Sequence, residues 1–112
     1  MKEDALHKDI NTYLSLTIRG DNDFYTYMPF GEKRNVITGA LLKAKGTARG
    51  VPDFMILRRF DNKPTEIIWL EAKVGKNKQS LEQKDFQKKC KNSTNERYYV
   101  VYSLDDVVDI IH

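Results

Sequence analysis

Asp53 in Val51-Pro52-Asp53-Phe54, with Glu71 and Lys73 in Trp69-Leu70-Glu71-Ala72-Lys73, puts two carboxylates and an amine into segments that otherwise read as core strand. An ion among large apolar side chains costs several kcal/mol unless it is paired or holds a metal. Three of them so close together therefore point to a site. Two carboxylates supply hard oxygen ligands of the kind Mg²⁺ or Mn²⁺ takes, and a lysine beside them can face an anionic substrate.

The elements around these residues decide whether they can meet. Val51 to Arg59 and Glu66 to Val74 read as strands, joined by the polar turn Asp61-Asn62-Lys63-Pro64. A hairpin symmetric about Asn62 sets Asp53 directly across from Glu71, and the two-residue period adds Lys73 to the same face. Like charges directly opposite each other repel, so the geometry requires a cation between them. Lys73 closing a structural salt bridge is the alternative.

Upstream, Leu6, Ile10, Tyr13 and Leu14 follow helical spacing within Lys2 to Arg19, and Gly20 supplies a stop. Glu3 falls on the inward stripe of this helix, either as a site acid or as a first-turn acid favoured by the helix dipole. Phe24 to Phe30 reads as a first strand ended by Pro29 and Gly31. Its aromatic run Phe24, Tyr25, Tyr27, Phe30 fits core packing or a contact between subunits. Asn35 to Ala48 reads as a basic, irregular connection with Gly39, Gly46 and Gly50 as breakers and room for a short element around Ile37 to Leu42.

Downstream, Ser80 to Lys91 is a helix whose inward stripe is Gln83, Phe86, Gln87 and Cys90. Gln83 has two readings. It reaches toward Lys73, or it completes the capping box of Ser80-Leu81-Glu82-Gln83. Arg97 to Tyr102 forms a last strand. Ser103 caps a closing helix with the stripe Leu104, Val107, Val108, Ile111. Strand, helix and strand from Glu66 onward make a βαβ unit. The expected fold is α/β: a mixed sheet of about four strands, antiparallel first and parallel last, flanked by helices.

A chain of 112 residues suits one domain, spanning 1–112. No apolar run approaches a membrane span, and Lys2-Glu3-Asp4 is no signal-peptide start, so the expected compartment is the cytoplasm, that of the host for a phage-encoded chain. The lone Cys90 excludes an internal disulfide framework and offers no zinc-site spacing. The net charge of +3 is unevenly spread. Lys33, Arg34, Lys43, Lys45 and Arg49 face only Glu32 before Asp53, and six lysines from Lys76 to Lys91 face only Glu82 and Asp85 after Lys73. Positive potential on both sides of the acids suits a polyanion. Ordinary solvated lysines are the competing explanation.

Gly50-Val51-Pro52-Asp53 followed by Glu71-Ala72-Lys73 resembles the PD-(D/E)XK nuclease superfamily. With Gly46, Gly75 and the Ser80 to Gln83 helix start, the chain is similar over essentially its whole length to the virus-type replication-repair nuclease domains, the VRR-NUC family. The resemblance implies a restriction-endonuclease-like three-layer core and a stand-alone nuclease of the phage and bacterial type. It further implies a homodimer acting on branched DNA such as Holliday junctions, in repair or recombination. By residue it makes Asp53 and Glu71 metal ligands, Lys73 the catalytic lysine, Gln83 a supporting active-site residue and Glu3 the first-helix acid.

Phosphodiester hydrolysis needs an activated water and charge compensation at phosphorus. Asp53, Glu71 and the Ala72 carbonyl would hold one Mg²⁺ or Mn²⁺, with Glu3 completing the site or holding a second ion. Lys73 would orient the water. Lys43, Lys45, Arg49, Lys76 and Lys78 would hold DNA through its backbone, a contact that carries little base information. Two other readings share these residues: a DNA-binding or scaffold module whose acids are structural, and an RNA or single-strand nuclease.

Overall fold

The computed structural model describes residues 2–29, 41, 45–46 and 49–112. The expected connection from Asn35 to Ala48 lies largely outside them, as do Phe30 and Lys43. Helix α1 spans Glu3–Thr17, strand β1 Asp23–Tyr27, β2 Phe54–Phe60, β3 Lys63–Ala72, helix α2 Leu81–Lys91, β4 Glu96–Val101 and helix α3 Leu104–Ile111. The sheet runs in the order β1-β2-β3-β4, antiparallel for the first three strands and parallel between β3 and β4. This is the expected mixed α/β sheet.

Alternation sorts each strand into two faces. Phe54 and Ile56 of β2, Ile68, Leu70 and Ala72 of β3 and Val101 of β4 form one continuous core with Leu6, Ile10 and Leu14 of α1 and Val107 and Ile111 of α3. The opposite face is covered by α2, whose Phe86 ring meets Trp69 at 5.0 Å and Tyr98 at 6.2 Å. Helices thus flank the sheet on both sides. On α1 Leu6, Ile10 and Leu14 are buried with Tyr13 packed against them, as the spacing predicts. On α3 Val107 and Ile111 are buried and Leu104 packs beside them, with Ile110 rather than the expected Val108 joining the core, and Cys90 is a buried thiol on α2. Of the β1 aromatics, Tyr25 and Tyr27 pack against the core while Phe24 is half exposed.

Strand ends differ from the sequence reading for local reasons. β1 stops at Tyr27, two residues before Pro29, which has no N–H to give a neighbour. The next amide, Met28 N–H, instead donates to the Asp53 carbonyl at 2.6 Å. β2 starts at Phe54 because Gly50, at φ +75°, and Pro52 turn the chain before it.

The hairpin reaches the predicted register by an unpredicted route. Its turn is the two residues Asp61 and Asn62, with Phe60 opposite Lys63, and an irregularity between Arg58 and Phe60 absorbs one residue. Asp61 and Asn62 both lack the positive φ of the tight primed turns, and a bulge is the usual accommodation. Beyond it, Phe54 pairs with Leu70 and Met55 with Trp69, which leaves Asp53 next in line with Glu71.

Candidate active site

The site lies at the open end of the hairpin, where β2 begins and β3 ends. Asp53 and Glu71 are the two charged side chains buried there, at 6 % and 2 % exposure. The Ala72 N–H donates to Asp53 Oδ2 at 2.8 Å, fixing that carboxylate against the end of β3. Ala72, expected to contribute its carbonyl, is thus engaged through its amide. Glu71 adjoins Asp53, and its Oε1 is buried without a hydrogen-bond partner.

Lys73 is half-buried next to them. Its own amide donates to the Val101 carbonyl at 2.9 Å, continuing the β3–β4 pairing. Among the described residues no carboxylate lies within ion-pair distance of its amine, so the expected alternative of a structural salt bridge is not what the geometry shows. The Lys73 charge still stabilises ionised Glu71 from a distance.

Sequence reasoning missed His7. Its Nε2 is 3.3 Å from Asp53 Oδ2 and 3.8 Å from Glu3 Oε1, and it completes no aligned hydrogen bond to either. One ligand-capable atom from each of Glu3, His7 and Asp53 lies within 4.8 Å of the others. The available signal was helical spacing: His7 stands four residues after Glu3, so an acid read onto the inward stripe brings the histidine with it. The ring is seated against Tyr27, at 5.4 Å between centroids, and Phe54, at 6.0 Å.

Electrostatics divide the two acids. Burial first, then the adjoining Asp53, pushes Glu71 up to about 9, so without a metal it is a neutral acid at pH 7. Burial pushes Asp53 up as well, but contacts with His7, Glu71 and the Ala72 amide outweigh it and hold the carboxyl below its ordinary range. His7 is raised by its contact with Asp53, against the effect of its own burial. The two shifts run in opposite directions, which favours one carboxylate and one neutral acid in the pair.

The α2 side is built differently. Ser80 Oγ accepts from Gln83 N–H at 3.2 Å, and Gln83 Oε1 accepts from Ser80 N–H at 2.8 Å. Gln83, the expected supporting residue, therefore closes the capping box. Gly50 packs on this helix start so tightly that a Cβ would run into the Glu82 carbonyl and Gln83 N. Of the expected DNA contacts, Lys45, Arg49, Lys76 and Lys78 are exposed, and Arg49 lies 3.8 Å from Glu82. No helix among the described residues is long and apolar enough to cross a membrane.

Together these side chains form a half-buried acidic cluster with one unsatisfied carboxyl oxygen, an imidazole and an amine that has no ion-pair partner among the described residues. Such a donor set fits a divalent cation: the orphaned Glu71 oxygen lacks the partner that a buried acid needs. The chain matches no family model, no curated protein and no solved structure.

Proposed function

We propose that the protein is a metal-dependent endodeoxyribonuclease of the VRR-NUC type that hydrolyses phosphodiester bonds in branched DNA. The observation that carries this reading is the meeting of Asp53 and Glu71 across the hairpin with Lys73 beside them, one acid oxygen being buried and unpartnered. Mg²⁺ or Mn²⁺ held by these acids, as one ion or two, would act as a Lewis acid and lower the pKa of an attacking water. Asp53 is oriented for this by the Ala72 amide and by Met28 N–H on its own carbonyl. Glu71 would release its proton to solvent when an ion is held, and the charge of the ion would offset the cost of burying the carboxylate. Lys73, with no carboxylate at ion-pair distance among the described residues, would be available to the scissile phosphate and the water.

Lys45, Arg49, Lys76 and Lys78 would grip the DNA backbone on both sides of this centre. A homodimer would present two such centres to the two strands of a junction, whose approximate two-fold symmetry matches its own. The rival reading is a DNA-binding module without turnover, and the contacts already made to Asp53 by His7 and Ala72 favour it. It leaves the buried Glu71 oxygen without a purpose.

The deciding measurement is cleavage of a labelled four-way junction with Mg²⁺ or Mn²⁺ by the parent, Glu71→Ala and Lys73→Ala. Loss of cleavage in both variants is expected. Equal activity in all three sinks the proposal, and parent binding without cleavage of junction, flap, duplex or single strand supports the module instead.

A further inference from the structure

We propose that His7 is itself a metal ligand. Its Nε2 and the carboxylates of Glu3 and Asp53, with Glu71 behind them, make a mixed nitrogen and oxygen site for a first-row transition ion such as Mn²⁺ in preference to Mg²⁺. The inference deepens the nuclease reading, since it rests on the acid cluster being a metal centre.

Distances come first. Ligands about 2.0 to 2.2 Å from one ion stand at most about 4.4 Å apart, and the Glu3, His7 and Asp53 atoms span 4.8 Å or less. Closing that set around an ion needs only a small side-chain movement. Preorganisation comes second. The His7 ring is wedged by Tyr27 and Phe54 with Nε2 directed at the acids, and that nitrogen is buried without an aligned partner.

Among the described residues the Glu3 carboxylate has no ion-pair or hydrogen-bond partner other than His7. The N-cap of α1 is Lys2, which makes no side-chain cap, and Glu3 touches His7 across one helical turn. An independent sign of a missing partner is Glu71: 2 % exposed, against Asp53, with Oε1 unsatisfied. A His7–Asp53 ion pair by itself would leave that oxygen as it is. A cation held at Asp53, which Glu71 adjoins, would bring a counter-charge next to it.

The ligand types set the preference. Mg²⁺ keeps oxygen ligands and several waters, whereas an imidazole among carboxylates favours transition ions. The test uses chelator-treated protein without DNA. Pulsed EPR of the Mn²⁺ complex should show nitrogen coupling from one imidazole, and calorimetric titration should give Mn²⁺ binding at least about tenfold tighter than Mg²⁺. In His7→Gln, checked for folding by circular dichroism, the nitrogen coupling should vanish. Mn²⁺ affinity should then fall about tenfold or more, with a much smaller change for Mg²⁺.

Absence of nitrogen coupling in the parent overturns the inference without relying on any variant, and so do equal losses for the two ions. Cleavage of DNA with Mg²⁺ alone and no nitrogen coupling removes the role of His7 and leaves the nuclease reading standing. Nitrogen coupling without cleavage of any DNA does the reverse. Failure of both ions to bind removes both.

Discussion

Helices α1 and α2 both start at the open end of the hairpin, and both put a polar side chain on their inward stripe in the first turn. At α2 the two polar groups satisfy each other, Ser80 with the Gln83 amide and Gln83 with the Ser80 amide. At α1 the N-cap is a lysine with no side-chain bond, the first-turn acid meets the histidine one turn later, and that histidine leans on Asp53. The difference teaches what frees a residue for chemistry. A helix start that closes its own hydrogen bonds is structural, and one that leaves them to water can lend its side chains to a site.

The sharpest way to break this contrast is to remove the acid on which the α1 side leans. Replacing the outer partners of a metal site typically costs 10 to 100-fold, so if Asp53 holds the proposed ion, Asp53→Asn should lower junction cleavage by more than about 100-fold. Metal affinity measured by calorimetry should fall with it. Retained cleavage would move the centre elsewhere and reduce the α1 cluster to a fold device.

Next in size is the pH response of the metal-free protein. Glu71 stands at about 9 when folded against 4.5 as its ordinary value. The stability it contributes is therefore full below pH 4.5 and is lost as pH rises toward 9, with a slope of at most about 1.4 kcal/mol per pH unit. His7, also raised, adds a loss of the same sign above its ordinary 6.5. Urea melts from pH 5 to 9 should show the fall, and Glu71→Gln, a neutral isostere, should flatten most of it. Saturating metal should flatten it too, because the ion takes the place of the proton. A parent that grows more stable over this range would contradict the assignment of a neutral Glu71.

Gly50 joins the two regions, since its backbone lies against the Glu82–Gln83 turn three residues before Asp53. Gly50→Ala meets both a left-handed φ and a backbone collision, and about 1 to 3 kcal/mol of destabilisation should follow. Thermal melts with and without metal would show whether the ion restores part of it.

What the sequence disclosed follows the same division. Strand alternation and the Asn62 turn carried the Asp53–Glu71 pairing, because a one-residue error would have turned every core side chain outward. The bulge at Arg58 escaped, yet the burial constraint restored the register by itself. Ser80 and Gln83 were legible because a capping box is a local code. His7 was not: a single histidine has no motif, and its partner Asp53 is 46 positions away in the chain. Only the folded helix brings them together. Glu71 as a neutral acid was equally hidden, since its protonation depends on how deeply the β3 end is buried.

The smallest effects decide Gln83. Ser80→Ala should cost about 1 kcal/mol of stability through the lost cap, with cleavage well below the melting point unchanged. Gln83→Glu keeps the reciprocal box, since glutamate serves at that position as well as glutamine. A residue that only caps would therefore leave both stability and cleavage close to the parent values. A residue that also faces the substrate would not, because the new charge would confront the phosphate and cut cleavage while the melting temperature stayed put. Equal melting temperatures with unequal cleavage would place Gln83 beside Lys73 as well as in the box, and α2 would then lend a side chain to the site as α1 does.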